Sequence, residues 1–290
     1  MLIASAKPAI SRLMGLTLVV VASAIRKTHS RRGKNPNILK LLTLARDLRR
    51  RKARERQGLF AAEGVRAVEE LVRSPLAVRG VLVAPQLADA PRGAALLASL
   101  RARDLEVHEV SALEFGSAAE TESPQGVLAV AEIPDRSLER LKLPARARIV
   151  LLDGVQDPGN VGTITRTAAA LGAAAVLALP GTVDLWNAKV VRSAMGASFH
   201  VPAFSCTWEQ LDDFRRRETV ALWGADAGGT ALESLTPPDR LALVVGNEGA
   251  GLSGESRTRV EVLVSLPISS TVESLNVAVA TGILLYQLRS

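Results

Sequence analysis

The chain has 290 residues, 48% hydrophobic and 22% charged, the balance of a soluble globular protein long enough for two domains with separate cores. One cysteine, Cys206, excludes a disulfide framework; His29, His108 and His200 form no ligand spacing with it, so no metal site is expected. The net charge of +7 is uneven: residues 1–60 hold 15 Lys and Arg against two acids, a net of +13, leaving 21 against 27, a net of −6, for residues 61–290.

In chain order, the first 30 residues contain the apolar run "LMGLTLVVVASAI", 13 residues long and too short to span a bilayer comfortably. It is similar to a weak signal or transit peptide. Export would part the basic arm that follows from a nucleic-acid ligand, so residues 1–30 are read as an extension outside the fold, with no membrane span and a cytoplasmic location. Residues 31–57 follow as a basic helix striped by Leu39, Leu42 and Leu48. Such a charge run is either a solvated face or a phosphate-binding arm; with no aromatic residue before Phe60, backbone contact to nucleic acid is favoured over base stacking. "GLFAAEGVRAVEELVRS" predicts a helix, and "VRGVLVAP", "LEVHEV" and "GVLAVAEIP" predict strands, giving a small α/β domain over 58–132. "PDRSLERLKLP" has the composition of a linker, placed at 133–147. From 148 to 290, "RIVLLDGV", "AAVLALPG", "TVALWGADA", "LALVVGNE" and "VEVLVSLPI" alternate with helical segments, the pattern of a parallel sheet covered on both faces. Ligands of such sheets sit beyond the carboxyl ends of the strands, which directs attention to the loops after Val155, Val245 and Leu266.

In "LDGVQDPGNVGTITRTAAALG", Asp157-Pro158-Gly159 makes a turn and Asn160 opens and caps a helix, with Gly159 and Gly162 allowing close backbone approach. The glycine fingerprints of dinucleotide and P-loop sites are absent, which disfavours a nucleotide-dependent oxidoreductase. Arg166 is the only charge on that helix; a lone Arg is usually a solubiliser, but beside an Ala-rich packing face and the Asn entrance the functional reading is preferred. In "LALVVGNEGAGLS", Glu248 stands among Gly246, Gly249 and Gly251, where exposed amides can hold an adenine edge or a ribose hydroxyl. "VSLPISSTVESLNVAVA" passes through a polar loop into a helix running from Leu275 to Leu288, apolar almost all round. Ser274 can cap it, but Glu273 and Asn276 exceed what capping requires.

"NVGTITRTA", "GNEGAGLS" and "LPISSTVESLNVAVA" resemble, in order, the three motifs of the SpoU family of RNA ribose 2′-O-methyltransferases, members of the knotted methyltransferase superfamily. "FAAEGVRAVEEL" resembles the start of that family's RNA-binding domain. Ser270, Ile268 and Ala278 depart from the pattern, standing where Gly, Met and often Ser are expected. The resemblance implies an α/β protein with a C-terminal trefoil-knot, parallel-sheet methyltransferase domain and a smaller N-terminal α/β domain of L30-like fold. It implies methyl transfer from S-adenosylmethionine to a ribose 2′-hydroxyl, in rRNA by the added basic arm and domain, with tRNA or catalytically silent RNA binding as alternatives. Carried over by motif, Asn160, Arg166, Glu248, Ser274 and Asn276 form the active centre, and Gly246, Asn247, Gly249, Leu266, Ile268, Ser274, Leu275 and Asn276 hold the cofactor. A homodimer joined through the knotted domains is implied too, with the small-residue helix 160–174 and the C-terminal helix around Gly282 as surfaces.

Overall fold

The computed structural model describes residues 36–103 and 105–289, so the expectations for residues 1–30, and the first part of the basic helix, lie outside the described residues. The chain divides into two units, the boundary falling between Lys40 and Leu41. The expected single basic helix is two: α1 (Pro36–Asp47) and α2 (Arg51–Gln57). The break has a cause in Arg54, which is 3% exposed and donates to the carbonyls of Leu48 and Arg49 at 2.6 and 2.9 Å, taking up acceptors that a continuing helix would use. Its Nε also reaches Asp184 at 2.7 Å. Arg46 and Arg49 are likewise committed, to Ser117 and the backbone of Ala119. Lys52 and Arg56 remain exposed without an ion pair among the described residues.

The stretch read as one helix from Gly58 begins instead with a strand, β1 (Leu59–Glu63), bracketed by Gly58 at φ 63° and Gly64 at φ 102°, and only then becomes α3 (Val65–Arg73). Four apolar residues and a glutamate are too short a run to show a periodicity; pairing with β4 (Val127–Glu132) decides the outcome. With β2 (Val78–Val83) and β3 (Val107–Glu109) these form a four-stranded sheet in the order β1-β4-β2-β3, antiparallel except for the β2–β3 pair. Helices α4 (Pro91–Arg101) and α5 (Ala112–Ala118) complete this part, the latter opened by a reciprocal Ser111–Glu114 capping box.

The second sheet has six strands, β5 (Ala147–Asp153), β6 (Ala175–Ala178), β7 (Ala203–Ser205), β8 (Ala221–Ala231), β9 (Arg240–Gly246) and β10 (Val262–Ser265). Their order is β10-β8-β9-β5-β6-β7 and every pair is parallel. Alternation explains its two cores: Val150 and Leu152 of β5 pack on one face, Ile149 and Leu151 on the other. Helices α6 (Pro158–Ala170), α7 (Ala188–Ala194), α8 (Trp208–Glu218), α9 (Gly254–Arg259) and α10 (Val277–Leu288) cover them. β7, only three residues long, was not expected from sequence.

The segment 133–147 is packed down. Leu138 and Leu143 are buried in the second core, and Arg136 donates to the Val201 carbonyl at 2.6 Å. The two sheets also share a core: Phe60 of β1, fully buried, meets Trp186 at 4.5 Å and Phe199 at 5.7 Å between ring centroids.

Candidate active site

The three loops singled out in the sequence leave the carboxyl ends of β5, β9 and β10 and converge there. Asp157, not Asn160, caps α6: its Oδ1 accepts the Asn160 amide at 2.8 Å, and Pro158 fills the first helical position. The Asn160 side chain is thereby released from capping. Its Nδ2 donates to Glu248 Oε1 at 3.0 Å, and its Oδ1 accepts from Asn276 Nδ2 at 3.0 Å. These amide orientations are fixed by elimination. A carboxylate can only accept, so Asn160 must present its nitrogen to Glu248. Asn276 has its oxygen on the amides of Ala278 and Val279, so it presents nitrogen to Asn160.

Those last two bonds make Asn276 the cap of α10, which starts at Val277. The expected cap, Ser274, lies before the helix and lines the adjoining cavity instead, while Glu273 is exposed and does not line it. The reason is register: a cap must precede the helix by one residue to reach its second and third amides, and Asn276 holds that place.

Glu248 also accepts from the backbone amides of Gln156 and Asp157, at 3.2 and 3.0 Å. Partial burial raises its pKa, but the Asn160 side chain and the amides of Glu248, Asp157 and Gln156 outweigh that and hold it below the usual carboxylate range. Asn247 organises the rest of the loop: Oδ1 accepts from the amides of Gly249 and Ala250, both at 3.0 Å, and Nδ2 donates to the Gly154 carbonyl at 2.9 Å. The expectation that exposed amides of this loop meet a ligand is therefore corrected for these two, which are already satisfied within it. Glycine is required at Gly246, where a Cβ would stand 2.2 Å from the Gly251 carbonyl carbon.

The cavity beside this network has a volume of about 370 Å³, within the range of small-ligand sites. Gly246, Asn247, Gly249, Leu266, Ile268, Ser274 and Leu275 all line it; Asn276 stands outside the lining and acts through the network and the cap. Sequence reading missed Asp226, which also lines it, accepts from the Gly228 amide at 2.9 Å and pairs with Arg257. Asp153 was missed as well; buried at the end of β5, it accepts from the Ser253 amide at 2.7 Å and the Ser256 hydroxyl at 2.6 Å, fixing the exit of the second loop. For Asp153 the signal was present in "LLDG", an acid at a strand end beside glycine; Asp226 lies in the middle of β8, flanked by Ala225 and Ala227, and had no such mark. A larger cavity of about 850 Å³, near Asp212, Arg215, Arg240 and Glu261, lies at the amino ends of β8 and β9, and its cations are committed to neighbouring acids and carbonyls. It lacks the convergent, uncommitted groups of a ligand site.

Arg166 is not part of the network. It lies exposed on α6 and its Nη1 donates to the Met195 thioether at 2.9 Å. A thioether is a weak, neutral acceptor, so the rest of the guanidinium fork stays available to an anion. Met195 itself holds a left-handed conformation, φ 49°, uncommon for a residue with a side chain. The small-residue face of α6 is taken up inside the chain: a Cβ on Gly162 would come within 2.3 Å of Ser193, and one on Gly282 of α10 within 3.3 Å of Thr167. Both glycines make close approaches within the chain, as expected from sequence for Gly162. Among the described residues no group of three or more His, Cys, Asp or Glu is arranged to hold a metal, and no helix is long and apolar enough to cross a membrane.

Residues 147–286 match the SpoU rRNA Methylase family model and residues 35–129 match an MRM3-like substrate binding domain. The chain is 35% identical over 243 residues to the 23S rRNA (guanosine(2553)-2'-O)-methyltransferase RlmP of Bacillus subtilis, covering 83% of this chain and 93% of that protein. It is 32% identical to the 23S rRNA (uridine(2479)-2'-O)-methyltransferase of Streptomyces viridochromogenes, covering 82% and 84%. The fold is similar to that of the SpoU methyltransferase AviRb from Streptomyces viridochromogenes in complex with AdoMet, with a TM-score of 0.77 at 30% identity, over 85% of this chain and 96% of that one. It is also similar to an AdoMet-bound rRNA methyltransferase from Sinorhizobium meliloti, with a TM-score of 0.74 at 28% identity, over 86% and 94%.

Proposed function

The chain belongs to the SpoU rRNA methylase family, and from that premise we propose that it transfers a methyl group from S-adenosylmethionine to a ribose 2′-hydroxyl of ribosomal RNA. The observation that carries this reading is the chain Glu248–Asn160–Asn276, one residue from each loop, beside the cavity at the carboxyl ends of the parallel strands.

The residues fit the cofactor. Val245, Val264, Leu266, Ile268 and Leu284 offer apolar walls to a purine, and the carboxylates of Asp226 and Glu248 among the lining suit a molecule bearing positive charge. When bound, S-adenosylmethionine supplies an electrophilic methyl group on a sulfonium, so the protein's task is alignment and management of the hydroxyl proton. Glu248 is a poor proton acceptor, because its pKa is lowered and its oxygens already receive three hydrogen bonds. Its role is to clamp Asn160 and the first loop against the second. Arg166 has no acceptor atom and acts as a cation, stabilising the developing 2′-alkoxide or the neighbouring phosphate, with the proton passing to phosphate or water. Ser274 contributes a hydroxyl at the cavity wall.

We further read residues 148–290 as the knotted domain, 58–132 as an L30-like RNA-binding domain joined by 133–147, and Lys52 and Arg56 of the basic region as RNA backbone contacts. Homodimerisation is supported by Val279, Ile283 and Tyr286, exposed by 51%, 40% and 55% along one stripe of α10. Work on ribosomal RNA fits a cytoplasmic location. The decisive experiment is methyl transfer to rRNA from cells lacking the gene, followed by mapping of 2′-O-methyl positions. One new position is expected; cofactor binding without transfer would instead support a silent RNA-binding protein, and transfer to tRNA alone would change the substrate.

A further inference from the structure

A cleft separate from the cofactor cavity runs between the β1–α3 turn of the first sheet and α7 of the second, with a volume of about 580 Å³. Its lining includes Glu63, Arg66, Ser123, Gln125, Arg192 and Met195. Arg92 also lines it but is held by both oxygens of Glu69. Glu63 is buried, accepting from the Glu120 amide at 2.8 Å and from the Thr121 hydroxyl. The Arg192 side chain is 27% exposed, but its Nη1 is buried, lies 3.8 Å from Glu63 Oε2, beyond hydrogen-bond distance, and has no acceptor among the described residues. Arg66 is exposed and carries no ion pair there. The Gln125 side chain accepts the Val65 amide at 2.9 Å, which holds the opposite wall in place.

Two further contacts tie this cleft to the reaction. Met195 lines it and receives Arg166 Nη1, so one side chain separates the cleft from the cation assigned to the reacting ribose. Lys189 precedes Arg192 by three residues on the same side of α7 and lies 3.9 Å from Asp157, the cap of α6. Arg66, Arg192, Lys189 and Arg166 therefore form a cationic track from the first sheet to the active site.

Resting on the reading of this chain as an RNA 2′-O-methyltransferase, we propose that the cleft holds a phosphodiester of the RNA strand adjoining the methylated ribose, with Arg192 and Arg66 as positioning residues. A phosphate oxygen meets the exposed part of the Arg192 guanidinium, and a planar fork matches its geometry. Glu63 stays with its own donors as the counter-charge that fixes where Arg192 points. No aromatic side chain lines the cleft, so the backbone and not a stacked base is its ligand.

The test is methyl transfer and binding with rRNA from cells lacking the gene, for Arg66→Gln, Arg192→Gln and Arg192→Lys. Each Gln variant should raise the KM for RNA roughly 3- to 10-fold and lower the slope of log affinity against log salt by about 0.7–0.9. Affinity for S-adenosylmethionine should not change. Arg192→Lys should recover the salt slope and only part of the KM, because an ammonium is not a fork. Should Arg192→Gln fail to fold with Glu63 left unpaired, the exposed Arg66 variant decides alone. Unshifted KM and salt slope in a folded Arg66→Gln protein overturn the proposal. Absence of transfer to any RNA by the unaltered protein removes the functional reading and this proposal with it, a result readily told from normal turnover with unshifted KM.

Discussion

Asn276 and Ser274 sit two positions apart and divide what the sequence had combined in one residue. Asn276→Ala removes the α10 cap and the end of the three-loop network together, so stability should fall by about 1 kcal/mol in a denaturant melt and turnover should drop as well. Ser274→Ala should leave the melt unchanged and weaken cofactor binding, since this hydroxyl bonds no helix amide; a lowered melting point with intact binding would return it to a structural role. Glu248 has a folded pKa below its unfolded value, so its contribution is present above the ordinary Glu range near ~4.3 and is lost as pH falls through the lower folded value. Glu248→Gln should therefore cost less than about 1 kcal/mol at neutral pH, given its exposure to solvent, and the difference from wild type should vanish in acid. The residue types at these positions were legible in the sequence because each motif is short and contiguous. The roles were not. That Asp157 takes the cap and frees Asn160, or that Asn247 satisfies the Gly249 and Ala250 amides, depends on φ, ψ and register that no spacing encodes.

At the scale of elements, long-range periodicity served the second sheet well and the first sheet less so. β5, β9 and β10 are largely apolar runs with glycine or proline at or near an end, and β8 opens on the apolar Ala221–Trp223, so all four were readable as strands, whereas β1 is short, rich in alanine, and a strand only because β4 lies alongside. The small-residue character of α6 was readable too, but its purpose required seeing what approaches it. Gly162→Ala places a methyl group 2.3 Å from Ser193 and 2.7 Å from the Val190 carbonyl, so α6 and α7 must separate. A loss of roughly 1–3 kcal/mol is expected, read by thermal melting, with turnover falling further than stability because Arg166 and Met195 ride on those two helices.

For the molecule as a whole, the segment that reads as a linker is pinned at Leu138, Arg136 and Leu143, and the two sheets meet through Phe60, Trp186 and Phe199. Composition showed enough material for two cores; it could not show that part of each would be joined to the other. Phe60→Ala should cost about 3–5 kcal/mol, and because the aromatic cluster belongs to both sheets, residues 41–289 should still unfold in one transition. Two separated transitions would show the sheets to be independent. A joint of this kind has a metric consequence. Among the described residues the two sheets are packed together through these rings, so on the proposed reading the distance from an RNA-holding surface on the first sheet to the loops at the ribose is set by packing, and the protein would measure its target as a ruler does. On that reading a nucleotide is chosen by how far it stands from the RNA feature held on the first sheet, and changing the size of the Phe60 side chain should alter that distance before it alters the chemistry.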